Sequence, residues 1–262
     1  MSGRTPDWAV ILMWGCLAVL LLFIIIPLVS IFFEIPGAGA SSQTTTSSTL
    51  SAIRLSLVTS TASLFVIIAL GIPTARLLGK RDFRGKGIVD TVVDLPIVLP
   101  PAVAGLALLL AFAPHSLIGQ FLLRYGVILP GNIAAVIMAQ TFVAMPFFVR
   151  SARTAFEEVD PRLEMAASVL SSSKFFSFRK VVLPLASRGL VAGGILAWGR
   201  AMGEFGATLL FAGNLPGITQ TMPLAIYLDL EQNIYQASFV SAILIVISFA
   251  VIASTRWVMA RR

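Results

Sequence analysis

Long apolar runs separated by short polar segments make up most of this chain. The first run extends from Trp8 to Phe33 and contains 26 residues without a charge, more than the roughly 20 that a helix needs to cross a bilayer. Five further apolar runs follow, and the pattern predicts six membrane-spanning helices at about residues 9–33, 52–78, 87–113, 131–155, 188–213 and 234–258. We therefore expect an all-α integral membrane protein with one transmembrane domain over residues 1–262.

Composition supports a membrane location. Hydrophobic residues make up 57% of the chain and charged residues only 12%, and the mean hydropathy of +0.93 is far above the range of soluble proteins. Basic residues that flank the apolar runs explain the net charge of +7, so it does not indicate binding to nucleic acid. With Cys16 and His115 as its single cysteine and histidine, one chain cannot assemble a disulfide framework, a zinc cluster or a thiol–imidazole pair.

The distribution of Lys and Arg predicts the orientation in the membrane. Six spans place both termini on one side, together with 16 of the 19 basic residues: Arg4, five between 76 and 86, seven between 150 and 188, and the last three. Arg54 and Arg124 fall on the other side, and Arg200 lies within a span. Because the more basic side stays in the cytoplasm, both termini and the polar segment at about 157–187 are expected to be cytoplasmic, in a multi-pass protein of the cytoplasmic (inner) membrane.

The third span is interrupted by proline. Pro96, Pro100 and Pro101 each remove a backbone hydrogen-bond donor, so the helix must kink or break. Lipid tolerates the freed carbonyl groups only where neighbouring helices or a cavity satisfy them. An ordinary kink and a break that lines a pore are equally compatible with the pattern. Asp90 and Asp94 lie one helical turn apart at the basic end of the same span.

The fifth span carries opposite charges. Arg200 and Glu204 are four residues apart, and an isolated charge at such a depth costs about 2.5–3.5 kcal/mol on insertion scales, so the two are expected to pair and face the protein interior or a water-filled path. A purely structural pair fits the pattern as well. Gly199, Gly203 and Gly206 also predict a small-residue face for close packing against another helix.

The polar segment at about 157–187 contains a short amphipathic helix. Asp160 and Pro161 are typical of a helix N-cap and first turn. Apolar residues then recur at helical spacing, at Leu163, Ala166, Ala167 and Leu170. Three serines at 171–173 end this stripe, a second amphipathic piece rich in Phe, Lys and Arg follows, and Pro184 is expected to close the segment.

This segment resembles the cytoplasmic loop of the permease subunits of bacterial and archaeal ABC importers. That loop carries Glu-Ala-Ala, three residues, Gly, nine residues, then Ile-x-Leu-Pro. This chain has Ala166-Ala167, Ser171 and then Val181 to Pro184 at the same spacing, with Met165 at the Glu position and Glu164 one residue earlier. The resemblance implies an ATPase-coupling segment formed by Leu163, Glu164, Ala166, Ala167, Leu170, Ser171, Val181, Leu183 and Pro184.

Further stretches are similar to the molybdate permease branch of that family. They are Leu99 to Gly105, Gly203 to Thr208, Ala212 to Asn214, and Thr219 to Pro223. Sulfate permeases carry a similar run, and tungstate is nearly the same size and charge as molybdate, so the oxyanion stays open among these three. We hypothesise that the third and fifth spans supply the translocation path or gate, through Pro96, Pro100, Pro101, Val103, Arg200, Gly203, Glu204, Phe205, Gly206, Ala207 and Thr208.

The resemblance also implies partners. It implies a homodimer of six-helix subunits with the type I ABC importer permease fold, two cytoplasmic ABC ATPase subunits, and an extracytoplasmic oxyanion-binding protein. The sequence contains no phosphate-binding Gly-rich loop with Gly-Lys-Ser/Thr. We therefore expect a transport subunit that is not an enzyme and binds no cofactor or metal itself, with ATP and Mg²⁺ bound by the partner ATPase.

Other functions are compatible with parts of the sequence. A membrane-embedded enzyme would have to use Asp90, Asp94 or Glu204, but no metal-ligand or nucleophile–base spacing joins these carboxylates. A passive anion channel is a second alternative, and the long cytoplasmic segment argues against it. Within the family, a sulfate or thiosulfate permease is the competing assignment.

Overall fold

The structure is a computed structural model that describes residues 7–35, 45–170 and 174–260. Within these ranges every regular element is helical. The elements are α1 (Asp7–Phe33), α2 (Thr45–Lys80), α3 (Lys86–Val98), α4 (Pro101–Phe112), α5 (Leu117–Leu123), α6 (Ile133–Glu157), α7 (Pro161–Leu170), α8 (Lys174–Ser177), a π-helical turn (Phe178–Val182), α9 (Leu183–Met202), α10 (Gly206–Ala212), α11 (Met222–Gln232) and α12 (Ile234–Ala260).

Five helical stretches in the described ranges are long and apolar enough to cross a bilayer. They are Val10–Phe33, Ser48–Lys80, Ile133–Glu157, Phe175–Met202 and Ile234–Ser254. The pair α3 and α4, which is bent by 114°, makes a sixth when it is counted as one span. The predicted all-α integral membrane fold is thereby confirmed.

Helix α6 organises the interior of the protein. It packs against α2 and α9, and its two halves contribute to two separate apolar clusters. We call the cluster around Phe148 and Phe156 the C-half cluster and the cluster around Ala139 and Val143 the N-half cluster. Many of the buried positions of α6 are alanines, and such small side chains let neighbouring helices approach closely.

The third span is broken rather than kinked. Its two helices meet at 114°, and Leu99 between them has an extended backbone. Helix α3 lies beside the C-terminal half of α6, where Arg153 is 2.8 Å from Asp90. Arg150 is likewise 2.8 Å from Asp94. Helix α4 instead contributes to the N-half cluster, so α3 and α4 contact different halves of α6.

The fifth span differs from the predicted 188–213 at its far end. Helix α9 ends at Met202, and a new helix, α10, begins at Gly206. The side chain of Glu204 explains this restart, because its Oε1 accepts a hydrogen bond from the N–H of Ala207 at 2.9 Å. A carboxylate at this position satisfies a helix N–H that would otherwise have no partner and complements the helix dipole.

The near end of the fifth span also differs, because the helix passes through Pro184 instead of ending there. Helical structure begins at Lys174 and continues through the π-helical turn into α9. In this turn the N–H of Leu183 donates to the carbonyl of Phe178, five residues earlier. Because proline has no N–H to offer, Pro184 fits at the start of α9, where the regular hydrogen-bond pattern is already interrupted.

Helices α4 and α10 approach each other closely at two glycines. A Cβ atom on Gly105 would lie 2.8 Å from both the Cα and the carbonyl oxygen of Ala207, and one on Gly206 would lie 2.9 Å from the Cβ of Pro101. The predicted small-residue face is thus confirmed for Gly206. At Gly199 an added Cβ would have only ordinary contacts, the nearest at 3.7 Å.

We expect Gly105→Ala to destabilise the protein, because the new Cβ would meet backbone atoms that can move only with α10. Overpacking of this kind costs about 1–3 kcal/mol, which corresponds to a lower melting temperature by several degrees in detergent. Gly194→Ala is the matched control, because its added Cβ would have its nearest neighbour at 3.8 Å. Equal melting temperatures for the two variants would contradict the proposed close contact.

Candidate functional site

Helix α7 forms as the sequence predicts and presents an apolar face. Asp160 caps it, since its carboxylate accepts a hydrogen bond from the N–H of Arg162 at 2.8 Å. Leu163 and Ala166 are exposed and Ala167 is half-buried. Leu170 is the last residue of the helix, and Ser171 lies outside the described residues. An exposed apolar face on a helix this short indicates a surface that can contact another protein.

Glu164 holds α7 to the end of α2. Its Oε1 lies 2.5 Å from Nη2 of Arg76, in a pair whose side chains are about 30% exposed. The guanidinium of Arg76 also stacks over the ring of Phe178, with its Cζ 4.4 Å from the ring centroid. Arg76 therefore joins three separate segments: α2, α7 and the π-helical turn. From the sequence, Arg76 is only one of the basic residues that predict the orientation in the membrane. No local pattern relates it to a carboxylate 88 residues away.

The second half of the predicted coupling segment is anchored by a residue that the motif does not specify. Val182 is completely buried in the C-half cluster, whereas Val181 and Leu183 are half-buried and Pro184 is exposed. The alternation follows from the helical geometry, which turns only one side of this segment toward α6. Val182 thus fixes the position of the π-helical turn relative to the membrane-spanning helices.

The structure brings the two interrupted spans together. The contact between Pro101 and Gly206 places the start of α4 against the start of α10. Within the predicted path, Pro100, Pro101, Val103 and Gly203 are exposed, and Pro96, Phe205 and Gly206 are half-buried.

Three of the predicted path residues are buried instead. Glu204, Ala207 and Thr208 have at most 1% of their surface exposed, so in this conformation their side chains do not face an open path. The reason is the close packing of α4 against α10, which encloses the first turn of α10.

Arg200 and Glu204 form the predicted ion pair, although they do not share a continuous helix. Nη1 of Arg200 lies 2.7 Å from Oε2 of Glu204. The Glu204 side chain is 1% exposed and the Arg200 side chain is 29% exposed. The carboxylate is therefore buried, whereas part of the arginine side chain remains at the surface. The pair thus compensates the charge that caps α10, and it supports the break in the fifth span.

Helix α2 carries a line of buried polar side chains that the sequence-based predictions do not include. Ser56 Oγ accepts a hydrogen bond from the N–H of Met222 at the start of α11. Ser63 Oγ lies 3.0 Å from Oε1 of Gln140 on α6. Ser56, Thr59 and Ser63 recur at helical spacing, a signal that marks one polar face of an otherwise apolar helix and could have predicted these contacts.

A small polar pocket lies at the opposite end of α2 from Arg76. It has a volume of about 200 Å³ and is lined by residues of α2, α11, α12 and the chain before α11, including Thr49, Gln220, Asp229 and Gln236. Burial raises the pKa of the Asp229 carboxyl above its ordinary value. An acidic group in this pocket repels an oxyanion when it is ionised. The pocket therefore suits a polar or cationic side chain of a partner protein better than it suits an oxyanion.

The carboxylates considered for enzymatic chemistry each pair with an arginine. Asp90 and Asp94 join α3 to α6 through Arg153 and Arg150. Glu204 pairs with Arg200. For Glu204, which is 1% exposed, the pair accounts for a charge within an apolar span, where an unpaired charge is costly. Their observed role is to join helices.

Comparison with known proteins agrees with this architecture. Residues 67–261 match the family described as "Binding-protein-dependent transport system inner membrane component". The chain is 37% identical over 232 residues to the molybdenum transport system permease protein ModB of Mycobacterium tuberculosis, which covers 88% of each protein. It is 36% identical over 240 residues to the probable transport system permease protein NifC of Clostridium pasteurianum, covering 91% of this chain and 84% of that protein.

The fold is also found in a solved transporter. The crystal structure of a bacterial ABC transporter involved in the import of the acidic polysaccharide alginate superimposes with a TM-score of 0.76, covering 98% of this chain and 97% of that chain at 15% identity. This likeness shows the fold alone. The family match and the sequence relatives establish that this chain belongs to the binding-protein-dependent transport system inner membrane components and is a permease subunit of the ABC importer type.

Proposed function

We propose that this chain is the membrane-spanning subunit of an ATP-driven importer for molybdate or tungstate. The structural observation that supports a coupling role is α7, whose exposed apolar face is fastened to a membrane-spanning helix through Glu164 and Arg76. The molybdenum transport permease that is 37% identical over most of both chains supports the choice of anion. Import of sulfate or thiosulfate is the alternative within the family.

Uptake of such an anion requires energy from a partner. A dianion that enters against an inside-negative potential of 100 mV is opposed by about 4.6 kcal/mol, so a passive channel would conduct it outward. We assign the energy supply to two cytoplasmic ABC ATPase subunits that bind ATP and Mg²⁺, one docked on each subunit of a homodimer. An extracytoplasmic oxyanion-binding protein delivers the anion to the outer mouth, and both termini lie in the cytoplasm.

Helix α7 transmits the motion of the ATPase to the membrane domain. Its face of Leu163, Ala166 and Ala167 contacts the ATPase, while Glu164 points to Arg76 and acts as an internal strut rather than as an anchor for the partner. Closure of the ATPases on ATP moves α7 as a lever and rocks the third to fifth spans between inward-open and outward-open states. The breaks beside Pro101 and Gly203 lie where such a motion would open the path.

Reconstituted transport tests the function directly. In proteoliposomes that contain this chain, its ATPase and its binding protein, we expect ATP-dependent uptake of molybdate that tungstate inhibits by competition and that a hundredfold excess of sulfate leaves unchanged. Preferential uptake of sulfate would favour the alternative substrate. Uptake at the same rate without ATP would contradict the importer mechanism.

Substitution of Ala167 by Arg tests the docking face. A long charged side chain at this half-buried position separates α7 from the ATPase, so uptake should fall by at least about tenfold, equivalent to about 1.4 kcal/mol of lost coupling, while insertion into the membrane is unchanged. Ala167→Ser is the control, because it keeps the small volume at the same position and should retain uptake. Unchanged transport by the Arg variant would refute the assigned docking face.

Charge reversal tests the strut between α2 and α7. Arg76→Glu and Glu164→Arg each place like charges together, and each should lower the number of anions transported per ATP hydrolysed. The double variant restores opposite charges and should recover most of the coupling, a pattern that a double-mutant cycle measures. The stability change for a half-exposed pair is only about 0.2–1 kcal/mol, so all three proteins should insert. Failure of the double variant to recover coupling would contradict a direct role of the pair.

A further inference from the structure

A cationic cavity lies between the end of α2 and α7, next to the Arg76–Glu164 pair. Its volume is about 670 Å³. The charged residues that line it are Arg76, Lys80, Arg81 and Glu164. Three positive charges therefore face one carboxylate, and the cavity keeps an excess of about two positive charges that no described residue balances in an ion pair.

Several hydrogen-bond donors of this cavity are not used by the described residues. Nη1 of Arg76 is buried and has no hydrogen-bond partner among those residues, and the ion pair with Glu164 engages Nη2. The ammonium group of Lys80 donates one hydrogen bond, to the carbonyl of Val159 at 2.8 Å, and has two further protons to donate. Arg81 is exposed and makes no ion pair with any residue in the described ranges. Such a set of donors suits a group with several anionic oxygens.

The same cavity has an apolar side. Pro73, Leu77 and Met165 line it, and Leu77 is 49% exposed although it lies in a membrane-spanning helix. The cavity is at the basic end of the candidate span Ser48–Lys80, and the end of such a span is expected at the level of the lipid headgroups. Cationic donors beside an apolar surface at this level match the two parts of an anionic phospholipid.

We propose that this cavity binds a phosphate group through Arg76, Lys80 and Arg81, with the headgroup of an anionic phospholipid as its source. The phosphate oxygens accept hydrogen bonds from the unused donors and offset the excess positive charge. Because Arg76 also holds Glu164, the bound phosphate stabilises the arrangement of α2 and α7. This inference does not depend on which anion the importer carries.

Binding can be measured with the purified full-length chain in neutral detergent. The chain is titrated with phosphatidylglycerol, with phosphatidylcholine, and with inorganic phosphate at constant ionic strength, and the melting temperature reports binding. We expect phosphatidylglycerol to raise the melting temperature and phosphatidylcholine to leave it unchanged. A saturable shift with inorganic phosphate alone would also support the phosphate site, and would assign its source to the free anion. No shift with either phosphate source would overturn the proposal.

Matched variants separate a specific site from general attraction between charges. Lys80→Gln with Arg81→Gln should weaken the binding of phosphatidylglycerol by about thirtyfold, or about fivefold for each charge near a membrane surface. Arg179→Gln with Lys180→Gln is the control, because these exposed basic residues of the π-helical turn lie outside the cavity. Equal weakening in both double variants would overturn the proposal.

A single substitution keeps the test informative if the double variant folds poorly. Arg81→Gln removes an exposed side chain that makes no ion pair in the described ranges, and it should weaken binding by about fivefold. Unaltered binding by this variant in a folded protein would exclude Arg81 from the site and contradict the proposed set of donors.

Discussion

The need to satisfy every polar backbone group in hydrocarbon governs this structure. The chain breaks twice within its apolar part, between α3 and α4 and between α9 and α10, and each break frees backbone groups that lipid cannot satisfy. The fold places the two breaks against each other, with Gly206 next to Pro101. Glu204 satisfies a freed N–H at the start of α10, and Arg200 balances its charge. The two breaks thereby meet in one region, where the Glu204 side chain is buried and its charge is paired.

Charge pairing also explains how α7 is joined to the membrane-spanning helices. Residues 161–167 of α7 are exposed or half-buried, so hydrophobic packing of these residues alone would hold the helix weakly. Arg76 connects it to α2 by an ion pair and to the π-helical turn by stacking on Phe178. Val182 then fixes this turn in the C-half cluster. Helix α7 is therefore connected to both α2 and α9 through direct side-chain contacts.

Local signals predicted the elements that depend on local chemistry. The first and last spans were placed within two residues of α1 and α12, because uniformly apolar runs of this length have few alternatives to a membrane helix. Asp160 was identified as a cap because its hydrogen bond reaches only two residues along the chain. The break between α9 and α10 was not predicted, because a glutamate at position 204 fits a continuous helix as well as a helix cap. Only the approach of α4 distinguishes a continuous helix from a capped one.

The sequence by itself determined the membrane class, the interruption of the third span and the family resemblance of the polar segment, since hydropathy, proline and motif spacing act along the chain. The tertiary structure decided which residues meet across it. In the folded chain Glu164 pairs with Arg76, and Ala207 is buried against Gly105. Arg76, Lys80 and Arg81, which in the sequence only predict the cytoplasmic side, line one cavity. These contacts join residues tens of positions apart, and they arise from helix packing, which no local pattern records.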